Sequence, residues 1–256
     1  MAEVAQVGLA RDEAHNYYLD GKGPIPSVTR ILKVVDKSGP LMGWAKRLTA
    51  EAAVQNAAML HQMVRLSGEA AAIDWLKKIA DHKRDTAASM GTRVHSLAES
   101  IARGTPVEMT DEEKPYADTY VRDFLLPFRP EFIALEELVC SPKYDYAGTF
   151  DAIARIQGET WMLDLKTSTG IYSETGLQLA AYANADFIAR PGLPQRWAVP
   201  QVARYGVIHC RPEQTRLVEY HVTNDTFGAF LSARRLYSWV EGAAKSIVGN
   251  RQEKPQ

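Results

Sequence analysis

The sequence has few of the features that mark a metal cluster, a broadly basic protein or a membrane protein. It contains only two cysteines, Cys140 and Cys210, which excludes a four-cysteine zinc site or iron–sulfur cluster and fits a reducing compartment. Thirty basic and thirty-one acidic side chains give a net charge of −1, so a surface that binds nucleic acid would have to be local. No apolar run approaches the length of a membrane span.

What is present predicts a folded protein. Hydrophobic residues make up 46% of the 256 residues, which is enough for a core in one α/β domain with additions or in two small domains. The N-terminal stretch MAEVAQVGLARDEAHN has neither an apolar signal core nor the Arg-rich, acid-poor character of a transit peptide. We therefore expect a cytoplasmic protein.

The first part of the chain is expected to be mostly helical. The segment HNYYLDGKGPIP predicts a hairpin that turns at Asp20-Gly21. Helical patterns then extend from Ser27, a good N-cap, to about Gly104, with breaks at Gly68 and Asp81. A further helix is predicted from about Asp111 to Phe128. We expect a helical N-terminal region over residues 1–80.

The second part changes to short apolar segments that are typical of strands. FIALEELVCS, YAGTFDAIARI and TWMLDLKTS predict a three-stranded meander. A helix over residues 173–189, two strands (ARYGVIHC and RLVEYHV) and a closing helix from about Asn224 to Val248 follow. The expected fold class is α/β (α+β), with a mixed central sheet flanked by helices over residues 81–250 and a flexible tail over 251–256.

Polar residues in the meander mark a candidate site. Asp164 and Lys166 share one face of their strand, because residues two apart point the same way. Antiparallel pairing through the Gly158 turn brings Asp151 beside Asp164. Two adjacent carboxylates repel each other, so a cation is expected between them, and Mg²⁺ or Mn²⁺ prefers such oxygen ligands. An exposed ion-pair network is the competing interpretation of these three residues alone.

Neighbouring elements offer further polar groups. On the preceding strand, either Glu136 or Glu137 could face the site, but strict alternation does not allow both; we favour Glu136. In GTRVHSLAES, His95 and Glu99 lie four residues apart and share a helical face. In LQLAAYANA, Gln178 and Tyr182 have the same spacing.

Together these segments resemble a known family. GTRVHSLAE, YAGTFD, LDLKTS and LQLAAY follow the order and spacing of the RecB-like branch of the PD-(D/E)XK nuclease superfamily. That branch includes phage exonucleases, CRISPR-associated RecB-like nucleases and the mitochondrial genome maintenance exonuclease. PSVTRIL and GWAKR look like the N-terminal pattern of the phage and mitochondrial members. The resemblance implies a restriction-endonuclease-like core.

The resemblance also implies a role for each residue. Lys166 would position or activate the attacking water, Gln178 and Tyr182 would support the site and meet the DNA backbone, and Glu136 would be the acid of the preceding strand. Glu99 is placed behind the site. The implied metal ligands are His95, Asp151, Asp164 and the backbone carbonyl of Leu165, for one or two Mg²⁺ or Mn²⁺ ions. A histidine ligand favours Mn²⁺. The four cysteines of the CRISPR-associated members are missing, so no iron–sulfur cluster is expected.

The implied function is a metal-dependent DNA exonuclease that acts on single-stranded ends in phage or bacterial recombination, replication or repair. A structure-specific endonuclease and a non-catalytic DNA-binding module are the alternatives. A recombinase or a single-strand-binding protein is an expected partner, and no membrane is. Basic and aromatic side chains of the helical region could line a channel for the strand: Arg30, Lys33, Lys46, Arg47, Lys83, Arg84, Arg93, Trp44 and Tyr17 or Tyr18. Thr167 and Ser168 are also expected at the DNA.

Overall fold

A computed structural model describes residues 8–36, 38–190 and 193–249 of the chain. The chain divides into two compact units: Asp36–Ser96, and Met1–Val35 together with Leu97–Gln256. The N-terminal hairpin packs with the sheet and belongs to the larger unit, and the predicted boundary at residue 80 remains a prediction. The predicted tail, 251–256, lies outside the described residues.

The N-terminal segment forms a small antiparallel sheet. Its strands are β1 (Leu9–Arg11), β2 (Tyr17–Leu19) and β3 (Lys22–Ile25), in that order. Asp20 and Gly21 make the predicted turn, and both have positive φ, 49° and 74°. Leu9 and Tyr17 are buried against residues of the large sheet. This packing joins the hairpin to the larger unit.

Helices follow as predicted, with one difference. The elements are α1 (Val28–Ile31), a 3-10 turn (Leu32–Val34), α2 (Ser38–Gln55), α3 (Ala57–Ser67) and α4 (Glu69–Ala102). Ser27 caps α1 by accepting the Arg30 N–H, and Gly68 ends α3 with φ of 86°. The predicted break at Asp81 is wrong: its carboxylate pairs with Arg84 at 3.0 Å on the surface of a continuous α4.

The next helical segment begins later than predicted. It consists of α5 (Lys114–Thr119), a π-helical turn (Tyr120–Leu125) and α6 (Leu126–Phe128). The Glu113 carboxylate accepts the Thr110 N–H at 2.9 Å, which holds residues 111–113 as a turn ahead of the helix. Arg129, with φ of 46°, ends the segment.

A seven-stranded mixed sheet forms the centre of the larger unit, and the predicted mixed α/β architecture is confirmed. Its strands are β4 (Glu131–Ser141), β5 (Tyr146–Ile156), β6 (Glu159–Lys166), β7 (Phe187–Ala189), β8 (Arg196–Trp197), β9 (Arg204–Cys210) and β10 (Thr215–Glu219). The order is β10-β9-β6-β5-β4-β7-β8. β6 and β9 are parallel, and the other neighbours are antiparallel. The predicted meander is β4-β5-β6.

Two helices complete the core: α7 (Glu174–Ala183) and α8 (Asn224–Glu241). The predicted helix over 173–189 is wrong beyond Ala183, because residues 187–189 pair with β4 as β7. Asp186 fixes this strand by accepting the Ser141 hydroxyl at 3.0 Å. The core of α7, α8 and the sheet includes Val28, Ile31, Val139, Tyr146, Phe150, Ile153, Met162, Leu179, Tyr182 and Phe230. No helix in the described part of the chain is long and apolar enough to cross a membrane.

Candidate active site

The end of β6 brings the two aspartates of the meander together. β5 and β6 pair from the turn as far as Ala152 and Leu163, so Asp151 and Asp164 occupy the next positions. The Asp151 carboxylate accepts the Leu165 N–H at 2.6 Å. This bond fixes Asp151 at the point where β5 and β6 separate, and it explains why an aspartate occurs in an otherwise apolar hairpin.

Asp164 is buried and strongly bonded. It is 1% exposed. Lys166 Nζ lies 2.7 Å from Oδ2 and 3.0 Å from Oδ1. Gln178 Nε2 donates to Oδ1 at 2.8 Å, and it lies 3.3 Å from the Tyr182 hydroxyl. The predicted residues of β6 and α7 therefore contact one another directly.

Lys166 keeps its proton in this setting. Burial lowers the pKa of the ammonium, but the charges of Asp164 and Asp151 outweigh that effect and raise it. The group therefore acts as a cation and a hydrogen-bond donor. Burial, with the Asp164 charge added, raises the pKa of Tyr182, so its hydroxyl stays neutral.

Gly148 is a site residue that the motif analysis missed. A Cβ added at Gly148 would lie 2.5 Å from Cε1 of Tyr182, far inside van der Waals contact. Gly148 has no positive φ, so the position requires space rather than conformational freedom. The signal in the sequence is the glycine of YAGTFD, three residues before Asp151, although the partner could not be read from it.

Glu136 adopts an unusual backbone conformation in the middle of β4. Its φ is 50°, while Leu135 pairs with Ala152 and Glu137 pairs with Phe150 on either side. A non-glycine residue in the left-handed region stores strain, and such residues cluster at functional sites. Glu137 instead bonds Arg190 at 2.7 Å. The structure thus places Glu136 at the site and Glu137 in an ion pair.

Three side chains offer ligand atoms for a metal ion. One atom each of His95, Glu136 and Asp151 lies within 4.8 Å of the others. His95 lies near the end of α4, which continues into the larger unit from Leu97. Asp164, a predicted ligand, is outside this group; Lys166 and Gln178 both donate to its Oδ1, and its role as a ligand remains a prediction. The role of the Leu165 carbonyl remains a prediction.

The charge around Glu136 fits a cation. Burial, followed by the charges of Asp151 and Glu99, raises the pKa of Glu136 to about 8, although Arg11 opposes this shift. At neutral pH the carboxyl therefore tends to hold a proton. A divalent ion would relieve the repulsion, and a set of one imidazole nitrogen and two carboxylates suits Mn²⁺ and accommodates Mg²⁺.

Glu99 was predicted to lie behind this group, and that placement remains a prediction. Glu99 pairs with Arg103 at 2.9 Å, and Arg103 also donates to the Leu135 carbonyl at 2.8 Å. Arg103 therefore links the end of α4 to the backbone of β4 one residue before Glu136.

The loop after β6 is held by β9 and the residue that follows it. The Ser168 carbonyl accepts from His209 Nε2 at 2.8 Å, and the Thr167 carbonyl accepts from Arg211. His209 pairs with Lys166 in the parallel ladder. Thr167 and Ser168 thus lie beside the candidate lysine, and their contact with DNA remains a prediction.

The other predicted DNA residues differ in exposure. In the smaller unit, Lys46, Arg47 and Arg93 are exposed and Trp44 is half-buried. Tyr17 is only 4% exposed and bonds Thr149 at 2.9 Å. Stacking of a base on Tyr17 is therefore a wrong expectation, because this ring belongs to the core.

No protein-family model matches this sequence, and a search of curated proteins finds no match. The resemblance to the RecB-like branch rests on the motifs. Both cysteines are free and buried, so they are not available to a metal cluster with four thiolates.

Proposed function

We propose that this protein is an Mg²⁺- or Mn²⁺-dependent deoxyribonuclease that hydrolyses phosphodiester bonds from DNA ends, with single-stranded DNA as its substrate. The observation that carries the proposal is the ion pair of Asp164 and Lys166, whose charged atoms lie 2.7 Å apart. The residue between them, Leu165, donates its N–H to the Asp151 carboxylate. The resemblance of these segments to the PD-(D/E)XK motifs supports the same reading.

Some groups at the site supply charge, and others hold the carboxylates in position. Lys166 is a protonated donor that can orient a water or stabilise charge that develops on a phosphate oxygen. Gln178 fixes Asp164, and the Leu165 N–H fixes Asp151. Donors that are held in place before the reaction lower its barrier, because they need no reorganisation when charge develops.

His95, Glu136 and Asp151 are the residues that would hold a metal ion. When bound, Mg²⁺ or Mn²⁺ supplies Lewis-acid chemistry by lowering the pKa of a water and neutralising phosphate charge. Glu136 must give up its proton before it can serve as a ligand.

The restriction to ends comes from the resemblance to phage and mitochondrial exonucleases. A cytoplasmic role in recombination, replication or repair, beside a recombinase or a single-strand-binding protein, belongs to the same proposal. A structure-specific endonuclease would use the same side chains, and only the substrate separates the two activities.

The test is cleavage of end-labelled linear DNA, single- and double-stranded, beside covalently closed circles, in Mg²⁺, Mn²⁺ or EDTA. The proposal predicts metal-dependent shortening of the linear strands, intact circles, and no activity in Asp164→Ala. Cleaved circles would indicate an endonuclease. A folded protein that binds DNA and cuts none of these substrates would indicate a binding module.

A further inference from the structure

The N-terminal hairpin places an arginine next to the proposed metal centre. Arg11, the last residue of β1, pairs with Tyr17, and both side chains reach the Thr149 hydroxyl: Arg11 Nη1 at 3.2 Å and the Tyr17 hydroxyl at 2.9 Å. Thr149 precedes Asp151 by two residues in β5, so their side chains share one face of the strand. Arg11 is therefore hydrogen-bonded to the face of β5 that also carries Asp151, a proposed metal ligand.

The Thr149 hydroxyl does not need Arg11 as its hydrogen-bond partner. The buried Tyr17 already bonds that hydroxyl, whereas the Arg11 side chain is exposed. A guanidinium carries five N–H donors in a planar fork that matches two oxygens of a phosphate. Among the residues that the structure describes, Thr149 is the one hydrogen-bond acceptor for Arg11. Most of the fork is thus available to a ligand.

The position of the charge is also informative. Arg11 acts electrostatically on Glu136, so the guanidinium lies near the carboxylate group without belonging to it. Carboxylates this close would repel an incoming phosphate. A cation at the rim offsets that repulsion for the strand that has to approach.

We propose that Arg11 binds a phosphate of the substrate strand, next to the phosphate that is cleaved. The ligand class is a nucleic-acid backbone phosphate. This inference rests on the proposed function, and it assigns the N-terminal hairpin a direct role in substrate binding.

The experiment measures binding of a fluorescently labelled oligothymidylate by anisotropy, in Ca²⁺ and at several salt concentrations. Arg11→Gln removes the charge and keeps a side chain that can bond Thr149, so we expect affinity to fall about tenfold. The negative slope of log K against log salt should become shallower by about 0.7, the value for one lost phosphate contact to a single strand. Arg11→Lys should keep the slope and lose some affinity, because it keeps the charge without the fork.

Tyr17→Phe is the matched control, because it removes the other bond to Thr149 without changing charge. It should keep the wild-type salt slope. Stabilisation by Mn²⁺, measured as a shift in melting temperature, should persist in Arg11→Gln, because Arg11 is not one of the proposed ligands; this separates phosphate binding from metal binding.

A wild-type salt slope in a folded Arg11→Gln would overturn the inference while leaving the nuclease intact. If Arg11→Gln loses its melting transition, Arg11→Lys decides: weaker binding with an unchanged Mn²⁺ shift supports the inference, and wild-type affinity contradicts it. A wild-type protein that neither binds nor cuts DNA would instead refute the proposed function, so the two failures are distinguishable.

Discussion

The two halves of the candidate site differ in how their charge is balanced. In one half, the buried Asp164 carboxylate contacts Lys166 and Gln178. In the other, Glu136 lies beside Asp151 and its pKa rises to about 8 through burial and neighbouring carboxylates. The first half is close to neutral within the protein itself, whereas the second is stabilised by a proton or by an added cation.

We propose that this difference gives the two halves separate tasks. The Asp164 half has a fixed donor and needs no ion to hold its geometry. The Glu136 half has strained backbone and excess negative charge, the features expected of a site that binds a divalent cation. Variants that affect only one half therefore test the division directly.

The largest effect is expected from Asp151→Asn, because Asp151 is a proposed metal ligand and also accepts the Leu165 N–H. The amide oxygen can still accept the Leu165 N–H, but it is a poorer ligand for a divalent ion. We expect cleavage to fall by at least about 10³-fold and the Mn²⁺-induced shift in melting temperature to disappear. Single-turnover cleavage and thermal melts measure the two effects.

Asp111→Asn is the matched control for that variant. Its side chain is 96% exposed and pairs with Lys114 on the surface, so neither activity nor the Mn²⁺ shift should change. If Mn²⁺ raises the melting temperature of Asp151→Asn as much as that of the wild type, Asp151 is not a metal ligand in the Glu136 half.

Lys166→Met should separate the halves most clearly. We expect the cleavage rate to fall about 10²- to 10³-fold, as when one preorganised donor is removed, while the Mn²⁺ shift remains. Isothermal titration calorimetry measures the affinity of the variant for Mn²⁺. Loss of metal binding together with activity would show that the two halves act as one unit.

Gly148→Ala tests the support beneath Gln178 and Tyr182. The new methyl would meet the Tyr182 ring at 2.5 Å, and overpacking of this kind costs about 1–3 kcal/mol. Urea unfolding should show that loss of stability. Gly228→Ala, in α8 with no atom within 4 Å of the added Cβ, should instead stabilise by about 0.5–1 kcal/mol. Equal effects of the two substitutions would argue against the Tyr182 contact.

The last prediction concerns pH and Glu136. The folded protein holds a proton that the unfolded chain releases near pH 4.5. Without metal, stability should therefore fall as pH rises from about 4.5 to about 8. Mn²⁺ must displace that proton, so its affinity should rise about fivefold between pH 7 and pH 8. In Glu136→Gln both trends should weaken, and unchanged pH dependence would exclude Glu136 as their source.

Local patterns made much of the fold predictable. The hairpin at Asp20-Gly21, the Ser27 cap and the β4-β5-β6 meander depend on neighbouring residues alone. The continuity of α4 through Asp81 and the end of α7 at Ala183 were missed. Asp81 is exposed on α4 and forms an i,i+3 ion pair with Arg84, which is compatible with a continuous helix. Pairing of β7 with β4 ends α7.

Part of the candidate site was also predictable from local patterns. Strand and helix periodicity brought Asp164, Lys166, Gln178 and Tyr182 onto shared faces. The choice of Glu136 over Glu137 depends on a left-handed residue in β4, which alternation cannot reveal. The contact of Arg11 with Thr149 spans two separate sheets, so no local pattern indicates it.

The most direct test of the central claim is a crystal structure of the protein in Mn²⁺ with an anomalous difference map at the manganese edge. The account predicts a peak bound by Glu136, Asp151 and His95, with Lys166 remaining in contact with Asp164. An ordered site without a peak, or a peak bound by other residues, would contradict it.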